Sequence, residues 1–172
     1  MPDLRSGPFV GRLAEPEDRS DVDTPYLQVQ RLHPDAVLPA YAHAGDAGLD
    51  LAALQAHRLE PGERVAAPTG LAVAIPGGWV GLVHPRSGLA LRHGLTVANA
   101  PGTIDAGYRG EVKVLLVNLG AEVVDIDAGD RIAQPLLQRV GRAQIVEVDA
   151  LSATGRGTGG FGSTGTGHRQ PE

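Results

Sequence analysis

Residues 102–111, GTIDAGYRGE, place a carboxylate, Asp105, among turn-forming residues, with an aromatic side chain, Tyr108, three positions later. A loop carboxylate held beside a water molecule can act as a general base, which contributes roughly 10²–10⁴ in rate. The same letters are also typical of an ordinary tight hairpin rich in Gly and Asp. No Ser–His or Cys–His pair competes for the chemistry, because the chain lacks cysteine and its six histidines have no catalytic or metal-ligand spacing.

Residues 85–90, PRSGLA, join an arginine and a serine where an apolar run gives way to a short helical pattern. The first turn of a helix exposes free N–H groups, and Arg86 adds a planar fork of donors that matches phosphate oxygens. Ser87 adds a hydroxyl group. These residue types indicate a phosphate site. A serine N-cap beside a surface arginine is the plainer interpretation of the same pattern.

Residues 155–167 comprise seven glycines, four Ser or Thr residues, Arg156 and Phe161. The segment matches G-x-G-x-x-G formally, but no βαβ pattern surrounds it, so a dinucleotide-binding fold is excluded. Successive N–H groups of a Gly-rich loop can converge on phosphate oxygens. Because the segment has no core of its own, a mobile tail is the plain interpretation of its composition.

Composition restricts the class of protein. A chain of 172 residues suffices for one domain with a substantial core. The absence of cysteine excludes disulfides and thiolate metal sites and suits a reducing compartment. No apolar run approaches the ~20 residues of a membrane span, and Pro2 and Asp3 do not open a signal peptide, so we expect a cytoplasmic protein without membrane contact. The net charge of −5 argues against nucleic acid as a partner.

The elements that must position these residues are short β-strands separated by turn signals such as Pro61-Gly62 and Gly129-Asp130. Residues 1–24, which are acidic and proline-rich, predict a flexible extension. One short helix is predicted in SGLALRHG, ended by Gly94. The predicted strands are YLQVQRL, RVAAP, LAVAIP, WVGLVHP, LTVANA, EVKVLLVNL, VVDI, RIAQPLLQRV and QIVEV. Many short strands with almost no helix predict an all-β sandwich, jelly roll or barrel.

Five segments, in this order and at this spacing, resemble the five motifs of the trimeric dUTPase family, over about residues 26–167. They are AGDAGLDL (44–51), PRSGLA (85–90), GTIDAGYRGE (102–111), GDRIAQ (129–134) and RGTGGFGSTG (156–165). The resemblance implies a distorted jelly-roll β-barrel with one short helix that assembles as a homotrimer with shared active sites. Residues 1–24 would be the flexible extension, residues 25–150 the barrel, and residues 151–172 a flexible arm that closes the site.

By this resemblance the chain hydrolyses dUTP to dUMP and pyrophosphate with Mg²⁺, which limits uracil in DNA and supplies dUMP for dTMP synthesis. Asp105 would activate the water that attacks the α-phosphorus. Asn99, with main-chain groups of the hairpin that follows it, would bind the O4 and N3–H edge of uracil. Tyr108 would lie under the deoxyribose and exclude a 2′-hydroxyl group. Lys113 would lie near the nucleotide, although a solvated strand lysine is the usual explanation.

The resemblance also implies how the phosphates are held. Arg86, Ser87 and Gly88 would bind the phosphate chain, and Arg156 would contact the γ-phosphate. Asp50 and Gln134 would hold metal-bound waters or phosphate oxygens, with no direct protein ligand to the metal. Phe161 would stack on uracil, typically worth ~1–3 kcal/mol, while Gly162 and Ser163 would add donors. The predicted substrate-binding residues are Arg86, Ser87, Gly88, Asn99, Gly102, Thr103, Ile104, Asp105, Tyr108, Lys113, Gln134, Arg156, Phe161, Gly162 and Ser163.

Two other functions fit parts of the pattern. A dCTP deaminase, or a bifunctional deaminase and dUTPase, resembles this fold and shares an Arg-Ser motif, but it needs an acid–base carboxylate beside C4 of the base. A catalytically silent nucleotide sensor would not need the intact Asp105 and complete tail motif. One residue departs from the family pattern: Pro135 follows Gln134 and removes a backbone donor, which predicts an edge or bulge position.

Overall fold

The computed structural model describes residues 24–161 and residue 163. It divides into two compact units, with the boundary between Gly141 and Arg142. The first unit is all-β with one short helix, as the sequence predicts, and it carries both pockets described below. No helix in the described part of the chain is long and apolar enough to cross a membrane.

The first sheet has four strands in the order β1-β4-β8-β6. The strands are β1 (Gln28–Arg31), β4 (Arg64–Ala74), β6 (Leu95–Val97) and β8 (Glu111–Asn118). Every pair is antiparallel, and the register of β4 on β8 shifts between Pro68 and Ala72. The two predicted segments RVAAP and LAVAIP are therefore parts of one strand, and Thr69 and Gly70 between them lie at the irregularity within β4.

The second sheet has the order β2-β10-β5-β7. Its strands are β2 (Leu51–Ala52), β5 (Trp79–His84), β7 (Gly102–Ile104) and β10 (Arg131–Arg139). The bulge predicted at Pro135 lies instead between Arg131 and Ala133, where β10 pairs with β2.

Pro135 pairs with Val83 within an interior strand, so the edge position predicted for it is wrong. Its carbonyl accepts from the N–H of Leu49, on the side of β10 away from β5. The backbone nitrogen and carbonyl of one strand residue point to the same side, so the donor that proline lacks is not one that β5 needs.

A third, two-stranded sheet pairs β3 (His57–Leu59) with β9 (Val124–Ile126). The core lies between the sheets because one face of each strand is apolar. In β8, Val112, Val114 and Leu116 are buried while Lys113 and Leu115 are exposed, as the predicted alternation requires. Other large buried side chains of this core are Leu51, Leu59, Leu71, Leu95, Ile126 and Ile132.

The helix α1 (Ser87–His93) begins directly after β5. Its N-cap residue is Arg86, and no side chain caps it, so the interpretation of Ser87 as an N-cap is wrong. Gly94 ends the helix, as predicted, in the left-handed conformation with φ 67°. Its N–H donates to Ala90 at 3.1 Å, and a Cβ at Gly94 would collide with the backbone of Gly120.

The second unit begins at Arg142 and has no strand or helix among its described residues. The strand predicted for QIVEV is therefore absent: Ile145 and Val146 are 96% and 75% exposed. A strand needs a ladder partner to pair its backbone groups, and the described chain gives this segment none. Local turns follow, including bonds from Gly157 N–H to the Thr154 carbonyl and from Gly159 N–H to the Arg156 carbonyl.

Candidate active site

The carboxylate predicted to be catalytic lies on a tight turn after β7. Its main-chain carbonyl accepts from the N–H of Tyr108 at 3.0 Å, which closes the turn. The side chain of Asp105 is exposed, and no described residue donates to it or pairs with it. It shares a pocket of about 180 Å³ with Asn99, Tyr108 and Lys113. The sequence-predicted residues Gly102, Thr103 and Ile104 line the same pocket.

Local packing shapes the wall of this hairpin pocket. Gly102 is buried, and a Cβ there would lie 3.2 Å from the side-chain nitrogen of Asn99. The glycine therefore gives the amide of Asn99 room against the start of β7. Lys113 also lines this pocket, and its Nζ lies 3.5 Å from Oε2 of Glu111, whose Oε1 accepts from the N–H of Gly70. The only lysine of the chain is thus paired with a carboxylate that is itself held by the main chain of Gly70.

A second and larger pocket, of about 710 Å³, lies at the start of α1. Three of the predicted phosphate-binding residues, Arg86, Ser87 and Gly88, line it together with Asp50 and Gln134. The structure thus brings motif residues from three distant parts of the sequence into one concave surface. Arginine donors and an exposed serine hydroxyl on such a surface suit an anionic ligand.

Asp50 organises the cationic side of this pocket, which we call the phosphate pocket after the residues predicted to bind phosphate. Its Oδ1 lies 3.3 Å from Nε of Arg86, and its Oδ2 lies 2.9 Å from Nη1 of Arg131. Arg86 in turn donates through Nη1 to the main-chain carbonyl of Arg131 at 3.1 Å. The Asp50 backbone is fixed by a bond from its N–H to the carbonyl of Ala40. One carboxylate therefore orients two guanidinium groups at the edge of the pocket.

The pocket also contains charged or titratable residues that the sequence did not single out, among them Arg131, Arg92, His43 and His84. Arg131 lies inside the GDRIAQ segment, and Arg92 follows Gly88 by one helical turn, so both could have been found from spacing. A Cβ at Gly88 would lie 3.1 Å from Nη2 of Arg92, which places that guanidinium over the first turn of α1. The two histidines are distant in sequence and line one pocket only in the folded chain.

The oxygen atoms of this pocket suit a Mg²⁺ ion that is bound through its waters and through phosphate. Among the described residues no three His, Cys, Asp or Glu side chains cluster to hold a metal ion. Both carboxylate oxygens of Asp50 contact arginine, and Nε2 of Gln134 donates to the carbonyl of Pro85 at 3.0 Å. The amide Oε1 of Gln134 faces Gly48, where a Cβ would lie 3.0 Å from it. Oxygen acceptors of this kind suit a Mg²⁺ ion that keeps its waters and binds phosphate.

The two pockets lie at different levels of the second sheet. In the ladder of β5 with β7, Ile104 lies opposite Gly81 and Gly102 opposite Val83. Arg86 follows Gly81 by five residues, roughly 16 Å along the strand direction, whereas Asp105 continues the other way. Arg86 and Asp105 of one chain therefore lie in separate pockets.

The Gly-rich segment belongs to the second unit. Nε of Arg156 donates to the carbonyl of Gly159 at 2.9 Å, and the N–H of Ser163 donates to the carbonyl of Gly160 at 2.9 Å. The side chain of Phe161 is fully exposed, and its φ of 49° places it in the left-handed region. Gly162, also predicted to bind substrate, lies outside the described residues.

A family model described as dUTPase matches residues 35–165. The chain belongs to the dUTPase family. It is 59% identical over 140 residues to a deoxyuridine 5'-triphosphate nucleotidohydrolase of Thermobifida fusca (strain YX), covering 81% of this chain and 78% of that protein. It is 57% identical over 145 residues to the protein of the same name from Mycolicibacterium gilvum (strain PYR-GCK), covering 81% of this chain and 94% of the relative.

Solved dUTPases resemble this member of the family in fold. A mutant dUTPase of Staphylococcus bacteriophage 80alpha with dUpNHpp aligns with a TM-score of 0.77 at 30% identity, over 81% of this chain and 98% of the phage chain. A mutant dUTPase from phage phi11 of S. aureus, described with a structural Mg(II) ion, aligns with a TM-score of 0.68 at 28% identity, over 73% and 97%. The recognition of the family from its five motifs is confirmed.

Proposed function

We propose that the chain hydrolyses dUTP to dUMP and pyrophosphate, with Asp105 as the general base. The observation that carries this assignment is the placement of Asp105 in one pocket with Asn99 and Tyr108. Its carboxylate has no hydrogen-bond or ion-pair partner among the described residues, so it can accept a proton from a water molecule. That water attacks the α-phosphorus, and pyrophosphate leaves. The reaction keeps uracil out of DNA and supplies dUMP for dTMP synthesis.

The hairpin pocket selects the base and the sugar. The side-chain amide of Asn99 both donates and accepts, which suits the O4 and N3–H edge of uracil and fits the opposite pattern of cytosine poorly. The main chain of β7 supplies further polar groups through Gly102, Thr103 and Ile104. The ring of Tyr108 lies under the deoxyribose and leaves no room for a 2′-hydroxyl group. Lys113, which lines the same pocket, adds a positive charge near the nucleotide.

The phosphate pocket holds the leaving group. Arg86 donates to phosphate oxygens in the orientation that Asp50 gives it, and Ser87 and the main chain of Gly88 add donors. Mg²⁺, when bound, neutralises phosphate charge, with Gln134 and Asp50 accepting from its waters. In-line attack requires the phosphate chain to be held still while the bond to the α-phosphorus breaks, and these donors supply that positioning.

One nucleotide needs pockets from two copies of the chain. The α-phosphorus must lie beside the water on Asp105, and the β-phosphate is joined to it by one oxygen. In one chain Arg86 and Asp105 line separate pockets, and Arg86 lies roughly 16 Å along the strand direction from the level of Ile104, the residue before Asp105. This separation supports a homotrimer in which Asp105 of one subunit faces the phosphate pocket of a neighbour.

Residues 151–172, which include the Gly-rich segment, act as an arm that closes this shared site. The exposed ring of Phe161 is available to stack on uracil. Arg156 reaches the γ-phosphate, and Gly162 and Ser163 add donors. A cysteine-free composition supports a cytoplasmic location for the trimer.

The test is incubation of the protein with dUTP and, separately, with dCTP, followed by analysis of the products. We expect dUMP and pyrophosphate from dUTP, and unchanged dCTP. Formation of dUTP or dUMP from dCTP would indicate a deaminase, and no product from either nucleotide would indicate a binding module. The comparisons support neither alternative, since the relatives above are named as nucleotidohydrolases.

A further inference from the structure

Gly110 makes room for the ring of Tyr108. A Cβ at Gly110 would lie 2.5 Å from the hydroxyl oxygen of Tyr108, 2.8 Å from Cζ and 3.2 Å from Cε2. Carbon atoms in ordinary contact lie at about 3.5–4.0 Å, so no side chain fits at Gly110 while the ring stays where it is. Gly110 is not among the seven described glycines with positive φ. The position therefore needs glycine for space, and not for backbone conformation.

The ring is fixed over Gly110 by a hydrogen bond at its far end. The Tyr108 hydroxyl donates to the main-chain carbonyl of Glu111 at 2.9 Å. At the near end, Nη1 of Arg109 donates to the carbonyls of Ala106 and Tyr108, at 2.7 and 2.6 Å. The side chain is nonetheless 45% exposed, so the hairpin itself, more than the core, holds the ring in place.

We infer that Gly110 is a positioning residue that sets the sugar specificity of the enzyme through Tyr108. The inference rests on the proposed function, in which the Tyr108 ring excludes a 2′-hydroxyl group. An apolar pocket rejects an added hydroxyl group only weakly unless a rigid wall occupies its place. A methyl group at Gly110 moves the ring by roughly 1 Å to restore ordinary contact, and the displaced ring leaves space for ribose.

Gly107 supplies a matched control in the same hairpin. A Cβ at Gly107 would meet no atom within 4 Å, and Gly107 is likewise absent from the described glycines with positive φ. Gly110→Ala and Gly107→Ala therefore add the same methyl group to the same turn, and only the first touches the ring. The measurement is kcat/KM for dUTP and for UTP with each purified trimer. We expect Gly110→Ala to lower the preference for dUTP over UTP at least ~10-fold, and Gly107→Ala to leave it unchanged.

Two further variants show whether Gly110 acts through the ring. In a Tyr108→Ala background, Gly110→Ala should not change the preference further, because the group it displaces is gone. Tyr108→Phe removes the bond to Glu111 and keeps the ring, so it should lower the preference even if Gly110→Ala does not fold. A Gly110→Ala enzyme that loses dUTP turnover at an unchanged preference would overturn the inference, and so would an unchanged preference in Tyr108→Phe. Equal hydrolysis of UTP and dUTP by the unmodified protein would instead contradict the proposed role of Tyr108 itself.

Discussion

Asp50 and Arg86 form an ion pair in which Oδ1 of Asp50 lies 3.3 Å from Nε of Arg86. The same carboxylate also accepts a hydrogen bond from Arg131, which lies 81 residues away in the sequence. The pair is partly shielded, with 20% of the Asp50 side chain and 29% of the Arg86 side chain exposed. An arginine held in this way presents its remaining donors in one direction. Orientation before binding lowers the entropy cost of holding the phosphate chain.

Asp50→Asn should therefore weaken substrate binding more than it slows the chemical step. The amide keeps the shape of the side chain but loses the charge that orients both arginines and accepts from metal-bound water. We expect KM for dUTP to rise ~10-fold, with a smaller change in kcat, and more Mg²⁺ to be needed for half-maximal rate. Asp46→Asn is the matched control, because Asp46 lines the same pocket but accepts from the N–H of His43. A lower KM in Asp50→Asn would mean that the carboxylate competes with phosphate for Arg86.

Asp105→Asn should remove the general base and leave the binding surface intact. Turnover of dUTP should fall at least ~10²-fold, while the trimer and its affinity for dUMP are retained. Single-turnover kinetics and calorimetric titration with dUMP measure the two quantities separately. Glu122→Gln, the same change at an exposed carboxylate after β8, is the control. Near-normal turnover in folded Asp105→Asn protein would exclude Asp105 from the mechanism.

The sequence predicts this fold best where the signal is local. Alternation in β8 predicts which side chains are buried, and Gly94 predicts the end of α1, because each depends on a few neighbouring residues. The division of RVAAP and LAVAIP into two strands was wrong, since tertiary pairing with β8 keeps the chain in one strand through a register shift. The strand predicted at residues 144–148 failed for the opposite reason, because β-propensity without a ladder partner gives no strand.

In the site, too, features within one short segment could be predicted from the sequence, and contacts between distant segments could not. Asp105 and Tyr108 share one short segment, so their joint placement could be predicted from the sequence. The orientation of Arg86 by Asp50 could not, because it depends on strands that meet only in the folded sheet. The family resemblance identifies the motifs that form the site. The structure adds the contacts that orient their side chains, such as the ion pair of Asp50 with Arg86.

The proposed roles of Asn99 and Tyr108 predict the substrate preference. We expect dUTP to be strongly preferred over both UTP and dCTP when kcat/KM is measured for each nucleotide. Asn99→Ala should lower the preference over dCTP while leaving the preference over UTP nearly unchanged, because base and sugar are bound by different side chains. A similar loss of both preferences would show that Asn99 supports the pocket as a whole and does not read the base.

Asn118 should be important for stability, independently of catalysis. Its side chain is fully buried and makes three bonds to main-chain groups, those of Leu59, Glu122 and Gly120, at 2.8–3.0 Å. Asn118→Ala leaves these groups unpaired, at ~1–3 kcal/mol for each that stays buried. We expect the free energy of unfolding to fall by ~2–4 kcal/mol in urea at fixed protein concentration. Asn99→Ala, on an exposed turn, should change it little, and equal losses in the two variants would contradict the structural role of Asn118.

The shared site can be tested by mixing two inactive variants. Asp105→Ala lacks the base but keeps the arm, and a chain truncated before Gly155 keeps Asp105 but lacks the arm. If both groups serve one nucleotide from different subunits, every mixed trimer contains one complete site. With random reassembly at equal amounts, about three quarters of the trimers are mixed and each has one site of three, so about a quarter of the wild-type activity should return.

The measurement is dUTP hydrolysis after the two variants are unfolded together and refolded, with native mass spectrometry to confirm mixed trimers. Each variant refolded alone is the control and should stay nearly inactive. Activity should also depend on the mixing ratio, with its maximum at equal amounts, since the fraction of mixed trimers is greatest there. If mixed trimers form and no activity returns, Asp105 and the arm act within one chain.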